Sequence, residues 1–268
     1  MQIGGPFWLP IDMRLQNQAT SLVDLLHSDT RYGDGSVVLE VGCGVGAQTI
    51  PLAINSPNAR FESIDISETS IERARQTVKR AKITNVVLRQ ADLFDPSLAA
   101  ATYDHAFVCF VLEHLSNPVG ALARLRKLIK PGGTLTVIEG DHGSAQFYPD
   151  DDDAREAIRC QVALQAQNGG DANIGRRLFP LLVEAGFPSP LVSPRMVYVD
   201  GSRPALIDGF TRKTFTAMIK GIREQALAAN KVTAERFDRG IAALERTATA
   251  GGVFCYTFFK CVARTPNE

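Results

Sequence analysis

Residues able to do chemistry gather in the first third of the chain. The run Val38-Leu39-Glu40-Val41-Gly42-Cys43-Gly44-Val45-Gly46 is apolar and β-branched around its acid, then breaks into alternating glycines. Glycine belongs where the backbone turns tightly or a ligand presses against it. The spacing G-x-G-x-G departs from the dinucleotide fingerprint G-x-G-x-x-G, yet amides that open a helix after such a turn can still hold an anion. Asp65, in Phe61-Glu62-Ser63-Ile64-Asp65, and Asp92, in Gln90-Ala91-Asp92-Leu93, repeat the placement of an acid at the end of an apolar run. In a doubly wound sheet a carboxylate at that place can accept the hydroxyls of a ribose, because ligands bind at the carboxyl ends of the strands. One acid in a turn carries little weight. Three at successive strand ends form a specific constellation.

Positioning three acids in this way takes a parallel sheet. The sequence predicts short apolar strands over Ser36–Val41, Phe61–Asp65, Val86–Gln90, His105–Phe110 and Thr134–Glu139. Helical patterns alternate with them over Gly46–Asn55, Glu68–Ala81 (with Ser67 as N-cap) and Pro118–Ile129, the last stopped by Lys130-Pro131-Gly132-Gly133. Strands alternating with helices mean βαβ units, and strands covered on both faces read as continuous apolar runs. The expected fold class is therefore α/β with a parallel sheet covered by helices on both faces. Pro51 is the misfit, since inside a helix it removes a hydrogen bond.

The second half reads differently. Helices are expected over Asp153–Asn168, Arg176–Ala185, Ala205–Ala229 and Ala234–Ala248 (Thr233 as cap), and strands over Pro190–Val199 and Val253–Val262. The acids Asp150–Asp153 suit a helix N-terminus, where negative charge complements the dipole.

Composition excludes several classes. The 268 residues can bury a substantial core without disulfides or metals. Lys and Arg number 29, as do Asp and Glu, so the formal net charge is zero, which argues against a general nucleic-acid binder. No run approaches the length of a membrane span, and residues 1–12 lack the basic and apolar regions of a signal peptide. The cysteines (43, 109, 160, 255 and 261) show no CxxC spacing, so reduced thiols in a cytoplasmic protein are expected, and no metal site.

With these segments together, the chain resembles a class I S-adenosylmethionine-dependent methyltransferase of the UbiE-like small-molecule branch. The resemblance covers about Ser36 to Gly140 and rests on residues 38–46, Ser63-Ile64-Asp65-Ile66-Ser67, Ala91-Asp92-Leu93, Phe110–Leu115 and Lys130–Thr134. It implies an α/β fold, a Rossmann-like, doubly wound, mostly parallel seven-stranded sheet with an antiparallel last strand, plus helical lid insertions, with S-adenosylmethionine as cofactor and S-adenosylhomocysteine as product. Glu40 and the backbone of Gly42, Cys43, Gly44 and Gly46 would hold the methionyl moiety. Asp65 would bind the ribose hydroxyls, and Ile66 would pack on the adenine. Asp92 would take the adenine amino group, with Ala91 and Leu93 beside it. Phe110 would turn its carbonyl toward the cofactor's amino group, and Val111 would flank the reacting centre.

Methyl transfer is an in-line displacement at an electrophilic carbon, so alignment supplies much of the catalysis. A base is needed only where the nucleophile must lose a proton. The candidates are His142, Asp141, Glu113 and His114, although a Glu-His pair after the fourth strand commonly caps the next helix. Tyr148, Arg195, Tyr198 and Phe210 are the candidates for substrate contact. The expected organisation is one methyltransferase domain: an N-terminal helical cap over 1–35, a cofactor-binding core over 36–142, a helical insertion over 143–180, core strands with their preceding helix over 181–200 and 253–264, and a helical lid over 201–252. Phe210, Phe215 and Met218 recur there at helical spacing, a stripe that either packs on the core or belongs to the lid. The expected partner is a small-molecule acceptor, not nucleic acid or a membrane, and a homodimer stays open. A tRNA or protein methyltransferase and a non-catalytic cofactor-binding protein remain alternatives.

Overall fold

The computed structural model describes residues 22–267. Seven strands form one mixed sheet in the order β3-β2-β1-β4-β5-β7-β6, with the last strand antiparallel. They are β1 (Val37–Val41), β2 (Arg60–Asp65), β3 (Val86–Gln90), β4 (Tyr103–Cys109), β5 (Ile129–Tyr148), β6 (Leu191–Val199) and β7 (Val253–Arg264). Strands β1 to β5 pair in parallel, with Glu40 beside Ser63 on β2 and beside Phe107 on β4. Successive right-handed crossovers from the middle of the sheet outward bring the strands' carboxyl ends to one edge.

Local signals place most boundaries. Ser67 caps the helix Glu68–Arg80, its Oγ accepting from the Ser70 amide, and Thr233 caps Ala234–Thr247 through the Arg236 amide. The helix after the glycine turn begins only at Thr49. Pro51 therefore falls in its first turn, where an amide would have no partner inside the helix. Helix Pro118–Leu128 is capped by Asn117 rather than by the Glu113-His114 pair. The Lys130–Gly133 stop becomes an irregularity at the start of β5, where the register against β4 shifts between Tyr103 and His105.

The chain divides into two compact units. One takes in Gly143–Leu164 and Tyr198–Tyr256; the other takes in Val23–His142, Gln165–Val197 and the chain from Thr257 on. The expected organisation is corrected in two places. Gly143–Tyr148 continues β5 instead of opening a helical insertion. Residues 165–180 belong with the core, because Ile174, Leu178, Leu181 and Leu182 pack into the same apolar cluster as Leu122, Leu125 and Leu135. Of the N-terminal helical cap expected over 1–35, residues 1–21 lie outside the described residues and a helix is described over 22–27.

The core unit contains a fully buried lysine. Lys260 on β7 is 2% exposed; its ammonium donates to Asp29 Oδ1 and Thr30 Oγ1, both at 2.6 Å, and to the Leu26 carbonyl at 3.2 Å. Burying an ammonium is tolerable only with such full pairing.

In the other unit the helix expected over Ala205–Ala229 is broken. Residues Ile207–Thr216 form a π-helix, followed by Ala217–Gly221 and Arg223–Ala228. Phe210 and Phe215 both pack on Phe254 and Tyr256. Residues five apart lie about 140° apart on an α-helix, so the wider π turn is what lets both rings face one strand. No helix among the described residues is long and apolar enough to cross a membrane.

Candidate active site at the carboxyl ends of the strands

The glycine turn is folded by the neighbouring strand. The amides of Gly42 and Cys43 both donate to the Ile64 carbonyl, at 2.8 and 3.1 Å. The Gly44 amide donates to Asp65 Oδ2 at 2.9 Å, while Asp65 Oδ1 accepts from the Ser67 amide at 2.9 Å. One half-buried carboxylate thus shapes the turn and starts the next helix, and each oxygen keeps a further lone pair for a ligand. Gly42 has φ +73°, and a Cβ there would overlap the Val111 Cγ2 methyl. Gly44 has φ +53°, and a Cβ there would meet nothing within 4 Å. The turn is closed behind and open in front, a cradle that a ligand backbone or chain can approach.

Asp92 stands exposed after β3, its Oδ1 accepting from the Phe94 amide at 2.9 Å. Ala91 and Leu93 are buried and support this turn from beneath. Ile66 and Phe94 leave 58% and 57% of their surface to solvent, an apolar surface close in sequence to the strand-end acids. These groups fit a nucleoside: hydroxyl acceptors on Asp65, an amino-group acceptor on Asp92 and an apolar surface on Ile66.

Glu40 sits deeper than the sequence suggests. It is 2% exposed, and its Oε2 accepts from the hydroxyls of Thr49 (2.8 Å) and Ser63 (2.6 Å). Burial pushes its carboxyl up to about 7, against the pull of the Ser63 and Thr49 hydrogen bonds. Its visible work is to tie β1 to β2 and to the helix Thr49–Asn55, directly behind the turn.

The turn after β4 is strained. Phe110 has φ +58°, a conformation unfavourable for a residue with a Cβ. Its amide donates to the Ile138 carbonyl at 2.9 Å, and its ring lies 5.5 Å from that of Phe258. Strain of this kind collects at functional sites.

The rim residues are more engaged than their sequence positions imply. Asp141 is 2% exposed and is held by Arg176 through two hydrogen bonds of 2.7 and 2.6 Å. Both carboxylate oxygens are thus engaged by the guanidinium in a bidentate pair, which sets Asp141 apart from the other catalytic candidates. Glu113 accepts from Gln165 at both its carbonyl (3.0 Å) and its Oε2 (3.2 Å). His114 is exposed, 3.6 Å from Glu113 Oε1. His142 is 6% exposed, its amide donating to the Ala172 carbonyl at 3.0 Å.

The substrate candidates divide between the units. In the core unit Arg195 pairs with Asp29 and reaches Ser193 Oγ at 3.3 Å, so its charge is engaged in a structural ion pair. In the other unit Phe210 is 1% exposed within its aromatic cluster, which makes it core and not a pocket wall. Tyr198 lies under the Arg203 guanidinium at 6.0 Å, and Tyr148 is exposed.

Sequence reasoning missed Glu139. It is completely buried at the position after Ile138, and its Oε1 accepts from the amides of Val111 (3.0 Å) and Leu112 (2.7 Å). The signal was there: an acid closing an apolar strand, the same cue that marks Glu40.

The sheet order, the glycine turn and the strand-end acids define a nucleoside-binding fold of the methyltransferase class, and comparison with known proteins agrees. Residues 39–135 match the family model described as a methyltransferase domain. A 37.1 kDa protein in transposon TN4556 of Streptomyces fradiae is 33% identical over 197 residues, covering 72% of this chain and 55% of that protein. The 27-O-demethylrifamycin SV methyltransferase of Amycolatopsis mediterranei is 26% identical over 82% of this chain and 76% of its own length. Among solved structures, the [4+2]-cyclase SpnF superposes with a TM-score of 0.56 at 19% identity, covering 94% of this chain and 82% of that one. The chain spans little more than half the length of the first curated relatives it matches. It carries a methyltransferase domain of the class I family, whose cofactor is S-adenosylmethionine.

Proposed function

We propose that this protein transfers the methyl group of S-adenosylmethionine to a small organic acceptor. The observation that carries the reading is Asp65, which folds the glycine turn with one face of its carboxylate and leaves acceptor capacity beside an open Gly44. Asp65 would take the ribose hydroxyls, Asp92 the adenine amino group, Ile66 the adenine face, and the Gly42–Gly46 backbone the methionyl part. The bound cofactor supplies an electrophilic methyl carbon on a sulfonium. The protein's share is alignment, worth roughly 7–11 kcal/mol at near-attack geometry. His142 is the base candidate left at the end of the β5 core segment once Asp141 is tied to Arg176, and an imidazole suits proton removal near neutral pH. The named activity of the Amycolatopsis relative supports a small organic acceptor. The balanced overall charge supports it over RNA.

A second reading has support from the engaged rim: a fold that holds the cofactor without spending its methyl. The two separate cleanly. Calorimetry with S-adenosylhomocysteine should show binding by the native protein and a loss of about ten- to a hundredfold in Asp65→Ala, the scale of a charge-assisted hydrogen bond. Unchanged affinity would remove the cofactor assignment. Labelled S-adenosylmethionine, offered with small hydroxyl, amine and thiol acceptors, should label small molecules. Label in RNA or protein from a lysate would select those substrates, and binding without any transfer would select the second reading. His142→Ala should keep cofactor affinity and lose turnover; full turnover strikes it from the catalytic list.

A further inference from the structure

The turn that follows β4 is gripped from several sides. The Ile138 carbonyl takes the Phe110 amide, the amide of Asp171 donates to the Glu113 carbonyl at 2.9 Å, and Gln165 donates to that same carbonyl. Between these grips lie the amides of Val111 and Leu112, which begin the short 3-10 turn Leu112–His114 and have no partner inside it. Glu139 Oε1 accepts both. A side chain on the neighbouring strand thereby acts as the cap of this turn.

What the turn carries is at the centre of the site. Phe110, immediately before it, is held at φ +58°. Val111 places a methyl group in the space beside Gly42 where a side chain would otherwise stand. Glu139 Oε2, in contrast, is buried with no hydrogen-bond partner. A protein rarely leaves such an atom in its interior without a reason. Burial first, and the neighbouring Glu113 second, push this carboxyl well above the usual range, against the pull of the backbone amides it accepts from.

We propose that Glu139 is the positioning residue of the transfer site, fixing the backbone of Phe110–Leu112 and with it the Phe110 carbonyl and the Val111 side chain beside Gly42. This rests on the methyl-transfer reading of the strand-end site. Glu139 touches no reacting atom in this scheme; it acts through the turn.

The test compares Glu139→Gln, Glu139→Asp and Glu139→Ala in the full chain, with S-adenosylhomocysteine as the probe and amide hydrogen exchange as a readout independent of it. Glutamine keeps an acceptor oxygen at the same reach, whereas aspartate withdraws it by a methylene. Glutamine should hold S-adenosylhomocysteine affinity within about threefold of native and keep the Val111 and Leu112 amides protected. Aspartate and alanine should lose at least about tenfold in affinity and lose that protection, while amides in β1 and β2 stay protected. A merely structural role would lower the melting temperature of the variants without separating glutamine from aspartate in affinity. The proposal is overturned if folded Glu139→Ala or Glu139→Asp retains native affinity, or retains protection at those two amides. If the native protein binds no S-adenosylhomocysteine, the methyl-transfer reading fails instead, and the exchange data alone decide whether Glu139 sets the turn. Should Glu139→Ala not fold, the glutamine–aspartate contrast carries the test.

Discussion

The carboxyl end of β1 and the part of β5 beside the end of β4 each carry a buried glutamate, and the two solve the same problem with different donors. Glu40 is answered by side-chain hydroxyls on Thr49 and Ser63. Glu139 is answered by main-chain amides of Val111 and Leu112. Hydroxyls rotate and can re-form their bonds when the acid changes, so Glu40 holds its neighbours together without dictating their backbone. Amides cannot rotate away from the chain that bears them. Glu139 therefore specifies a backbone path, while Glu40 specifies only a packing.

The largest effect should come from the residue where the two regions meet. Gly42→Ala forces a Cβ into the Val111 methyl and holds alanine at φ +73°. Overpacking and the left-handed conformation together cost about 2–5 kcal/mol, read as a lower denaturation midpoint with an unchanged slope. A smaller loss would show that the β4 turn yields, and would weaken the contrast between the two regions.

Next comes the pH dependence of Glu40. Its folded pKa is raised from 4.5 to about 7, so between those values the native protein binds the extra proton. Stability attributable to this group is greatest below pH 4.5, falls as pH rises, and is fully lost above pH 7. The span is roughly 3 kcal/mol at most. Glu40→Gln should flatten that slope in urea midpoints measured from pH 4.5 to 8; an unaltered slope would assign it to another group. The smallest effect belongs to Ser63→Ala. Losing one donor should cost about 1 kcal/mol and carry the decline to higher pH, because the Ser63 hydrogen bond pulls Glu40 down.

The strand-end acids were legible because their cues are local: an apolar run, an acid, and a glycine that only a turn needs. The first five strands and the caps at Ser67 and Thr233 followed from the same short-range chemistry. What stayed hidden depends on partners distant in sequence. Nothing near Asp141 announces Arg176, and nothing near Arg195 announces Asp29. Residues 165–180 looked like insertion because their apolar side chains carry no label naming the surface they cover. The π turn at Ile207–Thr216 hid behind a helical pattern, although the five-residue step from Phe210 to Phe215 was its trace.

Lys260 has a consequence for how the chain comes together. Its partners Asp29 and Thr30 lie 231 and 230 residues earlier. During synthesis Asp29 is made long before either cation that pairs with it, Arg195 or Lys260, and loop closure over such separations is slow compared with local pairing. The contact that fastens residues 26–30 therefore requires β7, the last strand of the sheet in chain order.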